Sequence, residues 1–308
     1  MIKSILITGA NNGIGKETAR QFAMLNGTEK IYLACRNEEK AKHAKQSLEQ
    51  STGKSIFKIV LMDVSNIDSV RSAVKSLTEP IEAIVMNAGG MGGKNPAQKT
   101  SDGVSQIFAT NVLGHVVLFD EMVKANLLTK VALFAGTEAS RGVPKMGMNR
   151  PNLKTSSIDE FSSICDSSYF GNEFDPMQAY GLVKYVATMW MSSEARKNPN
   201  LRIVTISPGG TKGTAVMDDL PFFSKIMYKY LMMPILMPLM GMVHKLELGA
   251  KRFIDGIIDE SYKSGVFYGS KEPVLTGSVI DQSTIFADLK NNTFQDNANM
   301  AIHKFIKD

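Results

Sequence analysis

Thr8-Gly9-Ala10-Asn11-Asn12-Gly13-Ile14-Gly15 follows the apolar run Ile2–Ile7 and opens a helical pattern that continues to Leu25. A pyrophosphate needs a backbone that can come close, free N–H groups and the positive end of a helix. Gly9 permits a tight turn, Gly13 removes the side chain where a phosphate approaches, and Gly15 lets helix and strand pack closely. A glycine-rich turn with no ligand is the plain alternative. The position directly behind an N-terminal strand favours a dinucleotide site built from Gly9, Asn11, Asn12, Gly13, Ile14 and Gly15.

Outward from this turn, short apolar runs alternate with helical patterns. Ile2–Ile7, Ile31–Cys35, Ile56–Leu61, Ala83–Met86, Val131–Phe134 and Leu201–Ile206 read as buried strands. Gly13–Leu25, Glu38–Gln50, Ile67–Leu77, Val104–Ala125 and Ala179–Arg196 read as helices. A further helix is expected near Leu246–Asp259 and a strand near Val266–Tyr268, with the tail from Asp281 packing over the sheet edge. This rhythm predicts an α/β fold: a Rossmann-type doubly wound parallel sheet of about seven strands in a single domain, residues 1–308. Two stretches break it. Residues 142–176 are rich in Ser, Asn and Pro and too long for an ordinary connection. Residues 212–244 carry seven methionines: Met217, Met227, Met232, Met233, Met237, Met240 and Met242.

Composition narrows the class. Hydrophobic residues make up 44% and charged residues 21%, as in a soluble globular protein. The net charge is +5 with no dense Lys/Arg run, which argues against nucleic acid. Cys35 and Cys165 form neither a disulfide framework nor a metal pattern, so no metal is expected. The first strand begins almost at once, leaving no room for a targeting segment. The stretch Tyr230–Val243 is shorter than a membrane span and broken by Pro234 and Pro238. A cytoplasmic protein without a transmembrane segment is expected, and peripheral membrane contact stays open.

Further along lie four more groups: Cys35-Arg36-Asn37, Asp63-Val64, Asn87-Ala88-Gly89 and Pro208-Gly209-Gly210-Thr211, each behind a predicted strand. Arg36 can grip a phosphate by two N–H bonds, although it can equally start a solvated helix face. Tyr180-Gly181-Leu182-Val183-Lys184 places a phenol and an ammonium four apart, on one helix face. An unperturbed tyrosine, with a pKa near 10, is a poor acid-base at neutral pH. A nearby ammonium is expected to lower it. Alone, each string is common.

Together and in this order, TGxxxGIG, NAG, YxxxK and PG resemble the short-chain dehydrogenase/reductase family over roughly residues 2 to 270. The wider pattern is similar to its retinol-dehydrogenase-like and protochlorophyllide-reductase-like branches. The resemblance implies that Tyr180 exchanges a proton with a substrate oxygen and that Lys184 also holds the nicotinamide ribose. Asn111 would hold a relay water, and Asp63 and Val64 would touch the adenine. Asn87, Ala88 and Gly89 would pass beside the ribose, and Pro208, Gly209 and Thr211 would meet the carboxamide. Cys35 stands where NAD-selective members carry Asp, so Arg36 and Asn37 imply NADP (NADPH).

The sequence departs from the family at its catalytic serine. Direct alignment of Phe134-Ala135-Gly136-Thr137-Glu138-Ala139-Ser140 puts Gly136 there; a one-residue shift offers Thr137, taken here as the catalytic hydroxyl, with Ser140 or no hydroxyl as the alternatives. The implied function is NADP-dependent interconversion of a carbonyl and an alcohol. The Met-rich residues 212–244 would form a lid over an apolar substrate, although core or dimer contact would explain the methionines equally well. Enone reduction, epimerisation, or an inactive NADP-binding regulator are the alternatives. The family also implies a homodimer or homotetramer.

Overall fold

Ile-, Val- and Leu-rich runs bounded by turns become the strands of one eight-stranded sheet. The computed structural model describes residues 1–212, 237 and 240–307. The strands are β1 (Ser4–Thr8), β2 (Lys30–Cys35), β3 (Phe57–Leu61), β4 (Ile81–Met86), β5 (Leu128–Ala135), β6 (Arg202–Ile206), β7 (Phe267–Ser270) and β8 (Val279–Asp281). Their order is β3-β2-β1-β4-β5-β6-β7-β8. Seven run parallel and β8 is antiparallel to β7, pairing Tyr268 with Asp281. The expectation of about seven strands therefore falls short by one. A three-residue antiparallel edge strand has no apolar run to announce it.

The helices are α1 (Gly13–Ala23), α2 (Glu38–Thr52), α3 (Ile67–Lys75), α4 (Gly114–Lys124), α5 (Ile158–Cys165), α6 (Pro176–Lys197), α7 (Leu246–Ile258) and α8 (Asn292–His303). Strand residues alternate between the two faces. Ile5, Ile7, Leu33, Val85, Leu133 and Ile206 pack under α1, α2 and α7. Leu6, Ala34, Ile84, Phe134 and Ile203 face α3, α4, α6 and α8. The strand order reverses between β1 and β4, and ligands in such sheets bind at the strands' carboxyl ends beside that point.

Three elements differ from the sequence reading. The predicted helix Val104–Ala125 is a short α turn (Gln106–Phe108), a π segment (Ala109–Leu113) and then α4. Residues 142–176 are no plain insertion loop. They hold α5, whose Phe161, Ile164 and Cys165 are buried in the main core. The Glu160 carboxylate accepts the N–H groups of Lys154, Thr155 and Ser156, and Ser157 caps the helix. Helix α6 starts three residues earlier than predicted. Asp175 accepts the N–H groups of Met177 (2.7 Å) and Gln178 (2.9 Å), and Pro176 takes a position that needs no N–H. No helix among the described residues is long and apolar enough to cross a membrane.

Candidate active site

The glycine turn sits where the sequence places it. Gly9 and Gly13 have φ of +66° and +54°, conformations that favour glycine. Asn12 caps α1 by accepting the Gly13 N–H (2.7 Å). The other N–H groups of the first helical turn have no acceptor within the helix. A Cβ on Gly15 would lie 2.5 Å from the Gly9 carbonyl oxygen and 2.6 Å from Asn87 Nδ2, so glycine there is a packing requirement.

Thr8 binds this turn to the next motif. Its Oγ1 accepts the N–H groups of Asn87 (2.8 Å) and Ala88 (2.9 Å), while Asn87 Nδ2 donates to the Thr8 carbonyl (2.9 Å). His115, which is fully buried, faces Thr8 Oγ1 at 3.0 Å and the Asn111 carbonyl at 3.2 Å. Burial, then the nearby Lys184, pushes His115 down to about 3, so it is neutral. With Nδ1 donating to that carbonyl, Nε2 accepts the Thr8 hydroxyl proton. The sequence reading named Thr8 only as the first residue of the turn and missed His115, because their value lies in contacts between elements distant in the chain.

At the adenosine end, Arg36 and Asn37 are exposed. Asn37 caps α2 through the Lys40 N–H (2.9 Å). Cys35 is buried at the end of β2, and burial pushes its thiol up to about 11. Asp63 accepts the N–H (2.9 Å) and hydroxyl (2.7 Å) of Ser65. Val64 packs by its carbonyl against Gly114, at the start of α4.

Asn111, Gly89 and Lys184 converge. The Asn111 side chain accepts from the Gly90 N–H (3.1 Å) and donates to the Gly90 and Ile107 carbonyls (2.7 and 2.8 Å). A Cβ on Gly89 would lie 2.5 Å from Asn111 Oδ1 and 3.7 Å from Lys184 Nζ. Lys184 is buried, donates to the Ala135 carbonyl (3.1 Å), and sits 4.5 Å from the Phe134 ring centre and 5.9 Å from that of Tyr180. Burial pushes Lys184 down to about 7. Tyr180 is raised to about 12 by burial and then by the Glu138 charge. The expected lowering of the phenol by its ammonium is therefore reversed here. Loss of solvent penalises both charged forms, and the ammonium spends its hydrogen bond on β5. The phenol keeps its proton at neutral pH.

Gly136 cannot be a serine in this backbone: a Cβ would lie 2.7 Å from Thr205 Cγ2 and 2.8 Å from Phe267 Cε2. Thr137 follows, half-buried at the head of the Glu138–Arg141 turn, where it accepts the Ala139 N–H (3.3 Å). Ser140 is fully buried and donates to the Thr137 carbonyl (2.8 Å). The second turn of α6 lies against this segment, since a Cβ on Gly181 would meet the Ala139 carbonyl at 2.9 Å.

The Pro208–Thr211 turn is held on several sides. His244 Nε2 faces the Pro208 carbonyl (2.7 Å), and Thr211 Oγ1 donates to the Gly209 carbonyl (3.0 Å). Residues 212–244 leave and return side by side, through Lys212 N–H to His244 O (3.0 Å) and His244 N–H to Gly210 O (2.8 Å). Met237 and Met242 are buried with Met148, Val243 and Leu275, and Tyr180 packs against them. Met217, Met227, Met232 and Met233 lie outside the described residues.

Known proteins resemble this chain in sequence and in fold. The short chain dehydrogenase family model matches residues 3–131. A short-chain dehydrogenase/reductase (prx1) of Penicillium roqueforti is 31% identical over 214 residues, 68% of this chain and 57% of that protein. Human retinol dehydrogenase 11 is 34% identical over 119 residues, 38% of this chain and 36% of that protein. The chain thus spans little more than half the length of the first of these relatives. Among solved structures, L-sorbose reductase from Gluconobacter frateurii, complexed with NADPH and L-sorbose, matches with a TM-score of 0.63 and 16% identity. That match covers 90% of this chain and 98% of the other, and it bears on the fold alone. The chain belongs to the short-chain dehydrogenase/reductase family, on its retinol-dehydrogenase-like side.

Proposed function

We propose that this protein is an NADP-dependent oxidoreductase that interconverts a carbonyl and an alcohol on an apolar substrate. One observation carries the reading. Tyr180 stands at the rim of an apolar, methionine-rich cluster, with Lys184 buried behind it and the Gly89 backbone alongside.

The residues fit a nicotinamide dinucleotide. A Cβ on Gly13 would meet no protein atom, and the start of α1 offers N–H groups to a pyrophosphate. Gly9 and Asn11 through Gly15 would hold the pyrophosphate, and Arg36 and Asn37 the 2′-phosphate. Asp63 and Val64 would hold the adenine, and Asn87, Ala88, Gly89 and Lys184 the ribose. Pro208, Gly209 and Thr211 would hold the carboxamide. The bound cofactor supplies the hydride.

Tyr180 gives its proton to the carbonyl oxygen in reduction and takes one back in oxidation. A phenol raised to about 12 retains that proton across neutral pH, so it is in its acid form for reduction, although its proton affinity lies far from the working pH. Lys184 would anchor the ribose, and a water held at Asn111 would link Lys184 to solvent and return the proton to Tyr180. Thr137 is the second hydroxyl for the substrate oxygen, because Ser140 spends its own proton on Thr137. Met237 and Met242 give the substrate an apolar wall.

Purified protein should oxidise NADPH faster than NADH across a panel of retinoids, steroids, aliphatic aldehydes and quinones. Tyr180→Phe should lower that turnover by roughly 10²–10⁴-fold while NADPH still binds. Unchanged turnover in the variant would refute the role. NADPH binding without reduction of any carbonyl would favour the non-catalytic regulator, the reading that Gly136 in place of serine supports. Reduction of enones in preference to ketones would move the activity to carbon–carbon double bonds.

A further inference from the structure

Glu138 is a buried carboxylate that no step above uses. It lies one residue after Thr137 and reaches across the end of β6. One oxygen accepts the Ser270 N–H of β7 (2.7 Å) and the other accepts the Ser207 hydroxyl. Ser207 Oγ in turn accepts the Gly209 N–H (3.0 Å), inside the Pro208–Thr211 turn. A chain of hydrogen bonds therefore runs from the Thr137 segment to that turn. The ion pair of Glu138 with Arg252 is a long one. Arg252 Nη1 is 3.9 Å away and spends its bonds on Ser270 Oγ (2.9 Å) and the Ser207 carbonyl (3.4 Å). Arg141, on the same turn as Glu138, pairs with Glu272 (2.7 Å).

We propose that Glu138 is a positioning residue: through Ser207 it ties the turn that receives the nicotinamide to the segment that carries Thr137, and it places a fixed negative charge beside Tyr180. The proposal rests on the reading of Tyr180 and of the Pro208–Thr211 turn given above. The charged and titratable groups facing the carboxylate are Tyr180 from α6, Arg252 from α7, His244 just before it, and Arg141. Lys184 Nζ lies 5.9 Å from the centre of the Tyr180 ring. A buried carboxylate stabilises the protonated phenol relative to the phenolate, the direction found for Tyr180. One side chain thereby orients the nicotinamide end and adds to the burial that holds the phenol in its protonated form.

Two variants separate these effects. Ser207→Ala cuts the tether and keeps the charge. Glu138→Gln keeps an oxygen for the Ser207 hydroxyl, removes the charge and leaves Arg252 uncompensated, so it should mainly move the proton affinity of Tyr180. NADPH and adenosine 2′,5′-bisphosphate, which lacks the nicotinamide half, are titrated by fluorescence or calorimetry. Ser207→Ala should weaken NADPH about fivefold and leave the bisphosphate unchanged, as expected for one lost hydrogen bond. Glu138→Gln should move the rising alkaline limb of alcohol oxidation at saturating NADP down by about one pH unit, and Ser207→Ala should not move it.

Unchanged NADPH affinity in Ser207→Ala overturns the tether, as does equal weakening of NADPH and the bisphosphate, which marks a general structural loss. An unmoved limb in Glu138→Gln overturns the charge effect. If Glu138→Gln does not fold, Ser207→Ala alone decides the tether, and Glu138→Asp, with its shorter reach and intact charge, should reproduce its binding loss without moving the limb; failure to do so overturns the proposal. Wild-type protein that binds NADPH and oxidises no alcohol refutes the catalytic reading, while the two binding titrations still decide the tether.

Discussion

At residue scale, the position of the family's serine shows how packing selects a side chain. Gly136 is enclosed by Thr205 and Phe267, so even one added carbon overfills the site. Gly136→Ser should therefore lower stability by about 1–3 kcal/mol, read as an earlier midpoint in urea unfolding, rather than improve activity. An unchanged midpoint with faster turnover would reinstate 136 as the hydroxyl position. The Tyr180 and Lys184 pair shows the converse. Their spacing was legible in the sequence, but their proton affinities were not. Those depend on burial against β5 and on Glu138, to which no motif points.

At the scale of elements, α8 is the piece with most influence and least sequence signal. Ala298, Ala301 and Ile302 enter the core beside α6, and His303 reaches Asp120 of α4 (Nε2 to Oδ2, 2.9 Å). The hydrogen bond to Asp120 raises the His303 pKa, against the opposing effect of burial. A raised histidine contributes stability that is fully present below its unfolded pKa and lost as pH rises through the folded value. The pair is about one-third exposed, so the contribution is a few tenths to about 1 kcal/mol. His303→Gln should accordingly destabilise the protein more around pH 6 than around pH 8.5, by thermal melting. Equal losses at both values would show that protonation plays no part. The π segment at Ala109–Leu113 was equally hidden. A one-residue widening within a helix leaves the apolar period almost intact, yet here it accompanies the anchoring of Gly90 by Asn111 and the contact of His115 with Thr8.

At the scale of the whole molecule, α8 and α5 lie over α6, and His303 joins α8 to α4. By the family resemblance, a dimer would pair through α4 and α6. Asn299 donates to Ser193 (3.1 Å), and Arg196 binds Gln295 and Asp296, so the cover is bonded as well as packed. The protein should sediment with the mass of one chain at micromolar concentration. A dimer with α8 still protected from hydrogen exchange would show that pairing uses another face.

Sequence alone determined the α/β rhythm, the glycine turn, the order of the motifs and the spacing of Tyr180 and Lys184. Each depends on local periodicity or on a spacing of a few residues, and such patterns survive without knowledge of the fold. Only the tertiary structure decided the eighth strand, the closure of position 136, the reversed proton affinities, and the Glu138–Ser207–Gly209 chain. These properties arise where residues from distant segments exclude water from one another. Desolvation and close packing are fixed by three-dimensional neighbours, of which a linear pattern carries no record.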